Sequence, residues 1–256
     1  MTDQTPVVTF DFHDTIARCD RWFALEIREL VPAFLVWHAE RHGTAPPNPA
    51  ALERGRLAYH ALRAEVRDTG IERDAVAALV AILPGLGRDV PEAEIRLGVD
   101  VLMAETFDDE VVPLPGVIET VRYLAGQGTR LGIVSSAVYT PFLHWTLDRF
   151  GLAGDFAMVL TSADAGFYKS HPGIYWQAAQ RLDRSPGRIV HVGDSFGFDV
   201  EAGRRAGFRA VWVLGERPTP DERAADLTLP DLVGAGPSIL GLARSAANDP
   251  VDVHGR

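Results

Sequence analysis

Three short apolar runs in this chain of 256 residues each end on a residue that can do chemistry. Val7–Phe10 runs into Asp11, residues 131–134 run into Ser135 and Ser136, and residues 189–192 run into Gly193-Asp194-Ser195. If these runs are parallel strands, their carboxyl ends share one sheet edge, which is where ligands bind in open α/β sheets. Two carboxylates meeting at that edge repel, so one takes up a proton unless a cation sits between them. A donor set made only of oxygen, with no Cys/His cluster at metal-ligand spacing, suits a hard ion such as Mg²⁺ rather than zinc. Asp199, five residues beyond Asp194, is placed to support the metal ligands or the water around them.

Of the 25 basic residues, Lys169 is the only lysine; the rest are arginines. One compact ammonium in such a chain, beside the turn Lys169-Ser170-His171-Pro172, suits a task that a wide guanidinium cannot perform. That task would be the neutralisation of a nucleophile and a bound anion together; the other reading is a surface lysine left by chance. The single cysteine, Cys19, cannot form an internal disulfide and is read as structural.

The elements that must position these groups follow from periodicity. Besides the three runs, residues 156–160 and 210–214 read as buried strands, each bounded by turn signals. Helical spacing covers residues 117–125, 141–150, 173–182 and 198–206, the last stopped by Gly207. Alternating strand and helix imply a Rossmann-like α/β core, a parallel sheet with helices on both faces. The alternation breaks between Cys19 and Val112, where helices are expected over 22–42 with a kink at Pro32, then Pro49–Thr69, 72–83 and 91–107. The expected organisation is a core of residues 1–18 and 112–245, an all-helical insertion over 19–111, and a polar tail over 246–256 that frays.

A formal net charge of −10 with no local basic cluster argues against nucleic acid and anionic membranes as partners. No run of 18 apolar residues would span a bilayer, and the N-terminus has no signal-like segment, so a cytoplasmic monomer or homodimer is expected.

The residues at the strand ends resemble the four ordered motifs of the haloacid dehalogenase superfamily. Val8 to Ile16 looks like the first motif, with Asp11 as nucleophile and Thr15 four residues on. Ile133 to Ser136 resembles the second, Lys169 to Tyr175 the third, and Val192 to Asp199 the fourth. The resemblance covers about Val7 to Arg18 and Val112 to Leu214 and implies that the helical stretch is the family's cap. It further implies a phosphatase that forms an aspartyl-phosphate on Asp11 and acts on a small phosphorylated molecule. Ser135, Ser136, Thr15 and Lys169 would hold the phosphoryl group, and Mg²⁺ would be bound by Asp11, the His13 carbonyl and Asp194, with Asp199 in support.

One departure matters: the second acidic residue of the first motif, two positions after the nucleophile, is His13 here. Imidazole exchanges protons near neutral pH, so His13 is the expected acid/base group. Asp14, one residue further along an extended strand, would point to the other side. Two other activities known among members without that Asp make different demands. The metal-independent 2-haloacid dehalogenases lack the Gly-Asp-Ser pattern found here, and the phosphonate hydrolases need a cap lysine, which is absent from residues 1–168. A phosphate-binding protein that has lost activity is the reading from another class. Substrate choice is expected from the insertion, with Arg18, Arg21 and Trp22 near its hinge, while Phe196 and Phe198 either wall the pocket or pack the next helix.

Overall fold

The computed structural model describes residues 4–215 and 225–248. Its main sheet has six parallel strands in the order β5-β4-β1-β6-β7-β8: β1 (Val7–Phe10), β4 (Arg130–Ser135), β5 (Phe156–Thr161), β6 (Ile189–Gly193), β7 (Arg209–Val213) and β8 (Leu227–Leu229). Two short strands, β2 (Ala17–Arg18) and β3 (Val112–Pro113), pair antiparallel where the chain leaves and re-enters the sheet layer. Five strands lie where periodicity places them, within a residue or two. The sequence reading missed β8, β2 and β3, which are too short to show a period.

All four residues of β1 are buried, which requires cover on both faces. Val8, Phe10, Ile133 and Val192 face helices Val117–Gly126 and Gly236–Asn248. Val7, Val134, Leu160 and Ile189 face helix Gly173–Arg181 on the other side. The last helix runs through Asn248, and Ala246 and Ala247 are buried in it, so fraying does not begin at residue 246. Apolar anchoring outweighs the polar composition there; residues 249–256 lie outside the described ones.

Between β2 and β3 every regular element is a helix. The first expected helix is broken, but not at Pro32: Asp20–Ala24 leads into a five-residue π turn, Leu25–Glu29, and then Leu30–Arg41. Pro32 sits in the first turn after that widening, where its missing N–H is tolerated. Helix Pro49–Thr69 matches expectation, capped by the Asn48 side chain and stopped by Gly70 at φ 71°. The next helix starts at Ala75 rather than 72, because Asp74 caps it by accepting from the Ala77 N–H at 2.7 Å. Helix Glu92–Glu105 completes the set.

The helical layer is pinned to the sheet layer by hydrogen bonds. The Val138 N–H donates to Glu26 Oε2 at 2.8 Å, and the Ala75 N–H to the Val138 carbonyl at 3.1 Å. The Tyr168 N–H donates to the Gly70 carbonyl at 2.9 Å, and Ser162 Oγ to Glu72 Oε2 at 2.6 Å. Arg63 holds both oxygens of Glu72 from inside the layer. Glu26 is fully buried in the π turn, and burial pushes its carboxyl up to about 8 against the lowering effect of the Val138 bond. The fold therefore binds a proton that the unfolded chain releases, so stability is lost as pH rises from the unfolded value of 4.5 through about 8. Glu26→Gln should remove this slope. The variant should gain a few kcal/mol on the wild type between about pH 5 and 8 in urea unfolding curves, whereas a difference independent of pH would mean the carboxyl keeps one charge state.

Candidate active site

Register sets the site. Phe10 pairs with Ile133 on one side and Val192 on the other, so Asp11, Ser135 and Asp194 emerge together just past the strand ends. The Asp11 N–H still donates to the Val192 carbonyl at 2.8 Å, continuing the ladder one step. Asp11, His13, Ser135, Ser136, Lys169, Asp194 and Asp199 all line one cleft of about 400 Å³. Thr15 does not join them. It is buried and lines an adjoining cavity with Asp14, Asp194 and Arg18, and its hydroxyl finds no partner among the described residues. Ser136 Oγ accepts from the Lys169 N–H at 3.3 Å and so fixes the lysine loop.

Lys169 is 2% exposed and lies between two carboxylates, its Nζ 2.5 Å from Asp11 Oδ1 and 2.6 Å from Asp199 Oδ1. Burial alone would lower the ammonium, but Asp11 and Asp199 together hold it above its ordinary value. The carboxylates respond oppositely. Burial pushes Asp11 up, and the nearby Asp199 charge adds to that against the pull of Lys169. Burial would raise Asp199 too, but Lys169 and His191 overcome it and hold Asp199 well below the carboxylate range. Asp199 also accepts the Ser195 N–H at 2.8 Å. It can come this close only because residue 193 is glycine: a Cβ there would lie 2.3 Å from the Asp199 carboxyl carbon.

His191 was missed by sequence reasoning, although a histidine inside the apolar run 189–192 was a visible signal. Its Nε2 lies 3.1 Å from Asp199 Oδ1 and its Nδ1 2.9 Å from Thr9 Oγ1. Burial lowers its pKa despite Asp199, so the ring is neutral, donating from Nε2 to the carboxylate and accepting the Thr9 hydroxyl at Nδ1.

His13 faces the cleft, its ring stacked on Phe23 at a centroid distance of 3.9 Å. Asp14 and Asp20 flank it, with carboxylate oxygens 3.6 Å from Nδ1 and 3.7 Å from Nε2. The expectation for Asp14 is corrected here. The chain does not stay extended past Asp11, and Asp14 adopts φ 57°, so it lines the same cleft as Asp11. Cys19 is buried, and burial pushes its thiol far above the usual range, which leaves it inert. Of the hinge candidates, Trp22 lines the cleft, Arg21 is paired with Asp108, and Arg18 lines only the adjoining cavity. Phe198 walls the cleft, while Phe196 packs on Trp212.

Asp11, Asp194 and Asp199 offer oxygens within 4.8 Å of one another. Asp199 is already engaged by Lys169, His191 and Ser195, which leaves Asp11 and Asp194 as the direct ligands such a cluster would give a cation. Three carboxylates with oxygen donors only meet here against the single Lys169 ammonium, so the residues fit a divalent ion.

A buried carboxylate at a parallel strand end, a buried lysine bridging it to a second Asp, and an acidic turn after the neighbouring strand are the features of a hydrolase site on a Rossmann-like sheet. Residues 5–207 match the model of the haloacid dehalogenase-like hydrolases, and the chain belongs to that family. It is 31% identical over 170 residues to a glyceraldehyde 3-phosphate phosphatase of Methanopyrus kandleri, a match covering 66% of this chain and 72% of the relative. A phosphoserine phosphatase of Thermus thermophilus is 40% identical over 134 residues, about half of each chain. Among solved structures, a 2-haloacid dehalogenase of Pseudomonas syringae superposes with TM-score 0.66 at 24% identity over 93% of this chain and 99% of its own. The superposition agrees with the Rossmann-like α/β fold of the haloacid dehalogenase-like hydrolases.

Removing the ammonium would leave Asp11 and Asp199 facing each other in a buried site. Lys169→Met should cost about 3–5 kcal/mol in urea unfolding at neutral pH, and Lys169→Arg should not restore it, because a guanidinium does not fit the enclosed volume. A loss below about 1 kcal/mol, the scale of an exposed ion pair, would mean that water reaches the pair.

Proposed function

We propose that this hydrolase is a Mg²⁺-dependent phosphatase of a small phosphorylated molecule, working through an aspartyl-phosphate on Asp11. The observation that carries the reading is Asp11 itself: a buried carboxylate held in place by Lys169, at the mouth of a cleft that also presents Ser135. The relatives named as phosphatases support it. Residues 1–18 and 112–245 would form the catalytic core and residues 19–111 the cap.

Asp11 Oδ attacks phosphorus, the bond from phosphorus to the leaving oxygen breaks, and that oxygen takes a proton from His13. Lys169 and Ser135 bind and orient the phosphoryl oxygens, supplying the positioning on which phosphoryl transfer depends. His13, now neutral, takes a proton from the water that cleaves the aspartyl-phosphate and restores Asp11. Asp11, Asp194 and the His13 carbonyl would hold the Mg²⁺, which when bound supplies electrostatic stabilisation of the charge on the phosphoryl oxygens. Asp199 keeps Lys169 in place. Trp22 and Phe23 cover the cleft and limit water.

The test is phosphate release from a panel of esters with Mg²⁺ and with chelator, run beside halide release from 2-chloropropionate. Mg²⁺-dependent phosphate release that Asp11→Asn abolishes, in a variant that still folds by circular dichroism, is expected. Halide release in chelator would move the protein to the dehalogenases, and full activity in Asp11→Asn would remove the nucleophile assignment.

A further inference from the structure

Four of the side chains that line the cleft are aromatic. Trp22 and Phe23 come from the helix Asp20–Ala24, Tyr168 precedes the lysine, and Phe198 stands against Tyr168 edge-to-face at 5.3 Å. Phe23 is stacked on His13, and Trp22, 1% exposed, is stacked on Phe142 at 4.8 Å, so these rings are held rather than loose. The partly exposed rings of Phe23, Tyr168 and Phe198 are the part of this wall that can meet a flat apolar group.

The charges around the cleft have the opposite character. Asp11, Asp14, Asp194 and Asp199 line it, and the cationic side chains among the described lining residues are Lys169 and, until it gives up its proton, His13. The Lys169 ammonium is already shared by two of those carboxylates, and His13 lies between Asp14 and Asp20. The nearby arginines are engaged elsewhere: Arg63, whose guanidinium lies 5.5 Å from the Tyr168 ring, is bound to Glu72, and Arg21 to Asp108. Arg18 lines the adjoining cavity, which shares only Asp14 and Asp194 with this one. A divalent cation, Lys169 and a protonated His13 together do not exceed the four carboxylates, and the phosphoryl group consumes what attraction they supply. A carboxylate on the alcohol part of a substrate would enter this field without a guanidinium to pair with it.

Resting on the phosphatase reading, we infer that the substrate is the phosphate ester of an uncharged, ring-bearing alcohol and that the cleft rejects esters whose alcohol carries a carboxylate. The aromatic wall selects the ring, and the carboxylates select against negative charge.

The test uses the full chain with Mg²⁺ and two esters that differ by one group, phenyl phosphate and 3-carboxyphenyl phosphate, whose leaving oxygens are of similar basicity. The wild type should prefer phenyl phosphate at least tenfold in kcat/KM. Phe23→Arg puts a guanidinium at a partly exposed position on the wall and should shrink that ratio at least tenfold, whatever it does to both rates together. If it fails to fold by circular dichroism, Phe198→Arg makes the same test. Equal rates on the two esters, or a ratio unmoved by the arginine, would overturn the inference. If neither ester nor any other is hydrolysed, the phosphatase reading fails by itself. Competition between phenylphosphonate and 3-carboxyphenylphosphonate for the Mg²⁺-loaded protein then decides the cleft's preference, with tighter binding of the uncharged ring expected and parity overturning it.

Discussion

The Lys169 ammonium buried between Asp11 and Asp199 constrains the rest of the molecule. A cation withdrawn from water is tolerated only where opposite charge and hydrogen bonds replace hydration at close range. Its two partners come from distant stretches of chain: Asp11 follows the central strand β1, and Asp199 lies within the π turn Phe196–Glu201 after β6. Bringing three such groups within 2.5–2.6 Å demands that β1, β6 and the loop after β5 stop at one level. The neutral His191, tied to Thr9 at one nitrogen and Asp199 at the other, carries that demand back into the sheet. Glycine at 193 is the steric condition for it.

The same loop that ends β4 serves two layers. Ser135 and Ser136 face the cleft and the lysine loop, while Val138, two residues on, exchanges both its backbone groups with the helical insertion through Glu26 and Ala75. The Lys169 loop is shared in the same way, since Tyr168 donates to Gly70. Any movement of the helical layer therefore pulls on the loops that carry Ser135, Ser136 and Lys169. The helical layer and the sheet edge are tied together rather than merely adjacent.

Much of this was legible in the sequence because it depends on local pattern. Apolar runs ending in Asp11, Ser135 and Asp194 announce strand ends, and a lone lysine among arginines announces a site where size matters. What escaped depends on contacts across the chain or on single dihedral angles. The turn at Asp14, with φ 57°, brings a carboxylate into the cleft that an extended strand would have turned away. The π turn at 25–29 moves the break in the first helix from Pro32 to the segment that buries Glu26. Thr15 matches a motif position, yet its hydroxyl faces the neighbouring cavity. The strand β8 has three residues and owes its place to pairing with β7.

A chain with one lysine also offers one bond to a lysine-specific protease, the peptide between Lys169 and Ser170. The native fold hides that side chain at 2% exposure, wedged between carboxylates that no protease pocket can reach without dismantling the site. Cleavage into two fragments thus records the opening of the catalytic centre itself. The molecule carries its own clock for how often the site comes apart, with no label added.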